Sequence, residues 1–158
     1  MAVGLAQVSM AGAGDGSPGG AGATPLCTDR PTRVGSPCTV DPGHIQYETD
    51  IPSYSRLADS DVRTETWVPL NPTVKYGLTP RLDLEVSAAP YEWVVTRQGS
   101  QQVVRHGAGD VSLRVKYEFL HTPWSDVQAA IVPYLKLPTA NRGLGNGQLE
   151  WGAVLPVT

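Results

Sequence analysis

The sequence has a single phenylalanine, two cysteines and charged residues at only 17% of its 158 positions. It has no basic run, and its formal net charge is −3. Phosphate binding needs a concentrated Lys/Arg surface, so nucleic acid is not an expected partner. No stretch of eighteen apolar residues occurs, which excludes a transmembrane helix. Helix-period patterns are scarce, and no GxSxG nucleophile elbow is present. His44, His106 and His121 fall at a strand start, in a long connection and in a short turn, and Ser100 shares a loop with His106 without forming a triad. The "GLGNG" stretch (143–147) has no strand-to-helix context for a phosphate, and Asp59/Asp61 reads as a solvated loop rather than a cation site. No enzyme, metal site or cofactor is therefore expected.

What is abundant is glycine (17) and proline (14). At this density they punctuate short segments and argue for an all-β chain. Residues 1–26 are small, Gly-rich and free of Lys and Arg, which fits either a signal-peptide remnant or a flexible leader. Residues 27–158 carry the fold. Cys27 and Cys38 are separated by ten residues bent by Pro31, Gly35 and Pro37. That spacing suits a small disulfide loop in an oxidising compartment, with two free thiols as the alternative.

Six segments alternate with period two: 44–51, 64–78, 81–93, 108–120, 127–137 and 148–158. In "RLDLEVSA", Leu82, Leu84 and Val86 alternate with Asp83 and Glu85. In "GDVSLRVKYEF", Val111, Leu113, Val115 and Tyr117 alternate with Asp110, Arg114, Lys116 and Glu118. In the second segment Val74, Tyr76 and Leu78 form the apolar set, and Thr73 and Lys75 interrupt it. The connections read long, short, long, short, long, which in an antiparallel meander puts every long loop at one end.

Alternation alone fits two architectures. A soluble or surface β-sandwich that binds or scaffolds turns its apolar face to a core. An antiparallel up-and-down transmembrane β-barrel turns that face to lipid. Strands of about ten residues match a bilayer core and exceed the usual soluble length of about 5 to 6. Trp67, Trp93 and Trp124 flank apolar runs, as residues of interfacial girdles do. The barrel reading assigns Glu48, Asp83, Glu85, Asp110, Arg114, Lys116, Glu118 and Lys136 to the lumen. It assigns Leu82, Leu84, Val86, Val111, Leu113, Val115 and Tyr117 to lipid. Six strands fall short of the eight or so that close the smallest such barrel, so an N-terminal part of a barrel is expected.

Four stretches in order carry a resemblance: "LCTDRPTRVGSPCTVDPGHIQYETD", "NPTVKYGLTPRLDLEV", "GAGDVSLRVKYEF" and "VPYLKLPTANRGLGNG". Over residues 26–158 the chain resembles the bacterial outer-membrane transporter family of the MetA-pathway of phenol degradation. The resemblance implies a bacterial outer-membrane β-barrel, exported through the periplasm. It further implies passive passage of small apolar or aromatic compounds, with the lipid bilayer as partner. It carries over no binding residues, and the family's chains hold more strands than this one.

Overall fold

The computed structural model describes residues 7–11, 26–29, 35–50, 52–121 and 127–158. Among them are eleven strands and no helix. They are β1 (Gln7–Ala11), β2 (Ile45–Asp50), β3 (Ser53–Asp59), β4 (Val62–Leu70), β5 (Thr73–Thr79), β6 (Leu82–Ala88), β7 (Tyr91–Gln98), β8 (Gln101–Gly107), β9 (Val111–His121), β10 (Gln128–Leu137) and β11 (Glu150–Val154). All ladders are antiparallel. The larger sheet has the order β1-β2-β5-β6-β9-β10-β11, and the smaller has β3-β4-β7-β8.

Eleven strands replace the six read from periodicity because the long strands are interrupted. β2 runs into β3, β4 into β5, β6 into β7 and β8 into β9, each after a break of two or three residues. Pro52, Pro72 and Pro90 occupy three of the breaks, and Gly109 lies in the fourth. A proline supplies no ladder donor, so it sits where pairing stops. The two sheets are thus successive lengths of one up-and-down meander. Gln7–Ala11, within the stretch read as a leader, adds an edge strand against β2.

The connections also differ from the expectation. The dozen residues "PSYSRLADSDVR" are mostly the β3–β4 hairpin, closed by Ser60–Asp61 with Ser60 at φ 49°. "VVTRQGSQQVVRHG" is largely the β7–β8 hairpin, closed by Gly99–Ser100 with Gly99 at φ 57°. Both stretches mix polar and apolar residues on each face, so they carry no clean apolar alternation to mark them as strands. Two-residue turns of this kind need positive φ, which Gly99 adopts without steric cost. The long stretch 138–149 remains a connection.

The sheets are not closed into a barrel. β1 and β11 stand at opposite ends of the larger sheet and do not pair. Past β11 the chain continues along β10, where Gln128 and Thr158 exchange backbone hydrogen bonds of 2.9 and 3.0 Å. Among the described residues, extensive strand contacts join only ladder neighbours. The described strands follow one another as an antiparallel meander.

Its faces are inverted relative to a water-soluble core. Tyr47, Val74, Val86 and Leu113 form one cross-strand row, and Ile45, Tyr76, Leu84 and Val115 another. All eight are exposed. The opposite row of Gln46, Lys75 and Glu85 is buried, as are Asp83 and Lys116 beside it. Where the smaller sheet begins, Tyr54, Trp67, Trp93 and His106 are successive cross-strand partners. The Tyr54 and Trp67 rings lie 4.8 Å apart, and the Trp93 and His106 rings 6.0 Å. Trp124 lies outside the described residues.

The "GAGD" and "LPTAN" stretches, distant in sequence, dock on each other. Asp110 Oδ1 accepts from Ala140 N at 2.9 Å, Val111 N donates to Thr139 Oγ1 at 2.9 Å, and Ala108 N donates to Asn141 Oδ1 at 2.6 Å. Asp110 also lies 3.5 Å from Lys136 Nζ. Asp110→Ala removes both the acceptor and the ion-pair partner. It should cost about 1–3 kcal/mol and raise hydrogen exchange across residues 138–142, while exchange in β5 and β6 stays unchanged.

Candidate functional site: a buried charged face under a disulfide loop

The buried face is built by strict alternation. β5 presents Thr73, Lys75 and Gly77 on one side, β6 presents Asp83 and Glu85, and β9 presents Lys116 and Glu118. Register then sets opposite charges across from one another. Lys75 faces Glu85, Asp83 faces Lys116, and Glu85 faces Arg114. Such cross-strand pairs stabilise a sheet, and an ion buried without a partner would be strongly unfavourable.

The residues covering this face come from the chain before β2. Cys27 and Cys38 are joined by a disulfide with Cα atoms 5.7 Å apart, which confirms the pairing expected from their spacing. The Asp29 carboxylate bridges two lysines: Oδ2 lies 2.6 Å from Lys75 Nζ, and Oδ1 lies 2.6 Å from Lys116 Nζ. Each lysine keeps a second carboxylate. Glu48 is 2.7 Å from Lys75, and Glu85 is 3.1 Å from Lys116. The Cys27 carbonyl accepts from Lys75 Nζ at 3.1 Å and from Gln46 Nε2 at 2.9 Å. Ser36 N donates to Asp29 Oδ1 at 2.8 Å, and Val40 N donates to Asp83 Oδ2 at 3.1 Å. Asp83 Oδ1 has no hydrogen-bond donor among the described residues.

The covering segment is then stitched to β5. Gly43 N donates to Gly77 O at 2.8 Å, and Gly77 N donates to His44 O at 3.1 Å. A Cβ at position 77 would collide with the carbonyl oxygens of Val40 and Asp41. Glycine is therefore required there by the close approach of two backbones.

Burial alone would raise the Asp29 pKa. The neighbouring Lys116 and Lys75 ammonium groups outweigh that effect and hold the carboxyl well below its ordinary 3.8. Asp29 is thus held ionised against the buried charged face.

Of the residues assigned to the lumen, Glu48, Asp83, Glu85, Lys116 and Glu118 lie buried on this face. Arg114 lies at its margin, 44% exposed and 3.8 Å from Glu85. Asp110 and Lys136 are half-buried and belong to a separate cluster with Glu150, 2.8 Å from Lys136. Of those assigned to lipid, Leu84, Val86, Leu113, Val115 and Tyr117 are exposed, and Leu82 and Val111 are half-exposed. Sequence reasoning missed Lys75, Gln46, Asp29 and Gly77. The signal for Lys75 was its phase: it alternates with Val74, Tyr76 and Leu78 and shares its side with Gly77.

A family model described as Putative MetA-pathway of phenol degradation matches residues 28–154, most of the chain. No curated protein and no solved structure matches it.

The depressed Asp29 pKa fixes a pH dependence. A carboxyl whose folded pKa lies below its unfolded value stabilises the folded state above that unfolded value, and the contribution fades as pH falls toward the folded one. The part of the hydrogen-exchange protection of residues 35–44 that depends on Asp29 should decline as pH falls below the ordinary 3.8. Asp29→Asn should lower that protection at pH 7 and flatten the acid decline.

Proposed function

Because the chain belongs to the family described as Putative MetA-pathway of phenol degradation, we propose that it forms part of the wall of a bacterial outer-membrane β-barrel. In this reading the barrel passes small apolar or aromatic compounds passively and is not an enzyme. The observation that carries the reading is the inverted sheet. Lys75, Lys116, Asp83 and Glu85 are buried, whereas Tyr47, Val74, Tyr76, Leu84, Val86, Leu113 and Val115 are exposed.

In water that arrangement wastes part of the main driving force of folding, because each apolar side chain left partly exposed forgoes a share of the about 1.5–3 kcal/mol that full burial contributes. Against hydrocarbon the same face is stable, and the charged face becomes a lumen wall. A soluble or surface sandwich would need a second layer over the apolar face, and the side chains of that face are exposed among the described residues. The aromatic row of Tyr54, Trp67 and Trp93 sits where the apolar sheet gives way to the polar hairpins. That is where an interfacial girdle belongs. The Cys27–Cys38 bond suits export to the oxidising periplasm.

The reading is tested by fractionation and by a pair of substitutions. The protein should partition with outer membranes and need detergent for release; recovery in the soluble fraction would favour the sandwich. Leu113→Arg places a charge on the face proposed to meet lipid and should cost about 2–4 kcal/mol in a lipid refolding titration. Ser112→Arg, one residue away on the other face, should cost much less. Equal costs would reverse the assignment.

A further inference from the structure

The covering loop is held by an interaction that a solute could imitate. Asp29 places one carboxylate between two ammonium groups, 2.6 Å from each. Lys75 is fully buried, Lys116 is nearly so, and they stand on β5 and β9 with β6 between them. Two strands held in register keep the two nitrogens at a fixed span. Both lysines retain a wall carboxylate and, in the case of Lys75, a carbonyl as well. Removing Asp29 would therefore leave the pair ordered, with one donor from each aimed at the vacated point.

We propose that Lys75 and Lys116 form a binding site for small organic monocarboxylates, and that Asp29 is its built-in occupant. The proposal rests on the barrel reading for its biological meaning, since it names the solute class that would admit itself by displacing the loop. The chemistry selects a planar carboxylate, because two oxygens about 2.2 Å apart can take one charge-assisted hydrogen bond from each ammonium. Chloride can accept from both ammonium groups but lacks the planar two-oxygen spacing that Asp29 presents, and a neutral alcohol or phenol lacks the charge. Glu48, Asp83 and Glu85 around the pair limit the site to a single negative charge. A dicarboxylate would meet them as like charges.

The closing experiment uses the full chain in detergent micelles or lipid vesicles, with benzoate as probe and benzyl alcohol and matched chloride as controls. In the native protein, benzoate should increase hydrogen exchange across residues 35–44, and neither control should do so. In Asp29→Ala the competing carboxylate is gone. Benzoate should then bind at least about tenfold more tightly, the equivalent of one charged hydrogen bond, and raise the melting temperature. The Lys75→Met/Lys116→Met double variant should lose both responses.

Exchange that does not respond to benzoate in the native protein, or that responds equally to benzyl alcohol, would overturn the proposal whether or not Asp29→Ala folds. Flux of a neutral aromatic glycoside such as phenyl glucoside, which protein-free vesicles retain, is the separate readout for the barrel. Flux without a benzoate response removes the carboxylate site and leaves the conduit. A benzoate response without flux leaves the site and removes the conduit.

Discussion

An ammonium group cut off from water must be neutralised where it stands, and here two are. Lys75 and Lys116 can be buried only because carboxylates from the neighbouring strands and from the loop before β2 reach them within hydrogen-bond distance. That requirement explains the cross-strand register that sets Lys75 against Glu85 and Asp83 against Lys116. It explains why a disulfide-closed loop with Asp29 at its start lies on the sheet. It also explains glycine at position 77, where the loop backbone comes closest. With the polar side committed inward, the period-two geometry of the strand sends every apolar neighbour outward.

The strand breaks give the meander two regimes. Below Pro52, Pro72, Pro90 and Gly109, one face is apolar and the other charged. Above them, β3 is exposed throughout and β8 is exposed up to His106, and Glu65 with Arg63 and Arg97 forms an ion cluster. The aromatic row marks the change. A meander divided in this way is uniform in hydrogen bonding and varied only in side chains. Its environment is therefore read from the faces rather than from the backbone.

The all-β class, the antiparallel meander and the Cys27–Cys38 pair were legible in the sequence, because alternation and local cysteine spacing are short-range signals. "RLDLEVSA" and "VSLRVKYEF" carry their facing on the page. The β3–β4 and β7–β8 hairpins were only partly legible: the valine pairs Val94/Val95 and Val103/Val104 hinted at the second, but polar residues such as Arg56, Glu65, Arg97 and Gln102 share faces with the apolar ones and break the alternation. Lys75 was misread as an interruption because attention followed the apolar set of its strand. Asp29 could not have been found by pattern at all. Its partner Lys116 is 87 residues away, and only the folded sheet brings the loop to it. Asp110 has a structural task that its phase does not reveal: its carboxylate holds the backbone of Ala140.

The central claim is that the charged face of the larger sheet looks into a lumen and the apolar face looks into lipid. It is tested most directly by spin labels placed one at a time from residue 111 to residue 119 in lipid vesicles, with collision rates measured for dissolved oxygen and for a water-soluble nickel chelate. The account predicts a strict two-residue alternation. Labels at 111, 113, 115, 117 and 119 should be relaxed by oxygen and shielded from nickel, and labels at 112, 114, 116 and 118 should show low oxygen access. Nickel access that is high at the odd positions, or oxygen access without alternation, would contradict it.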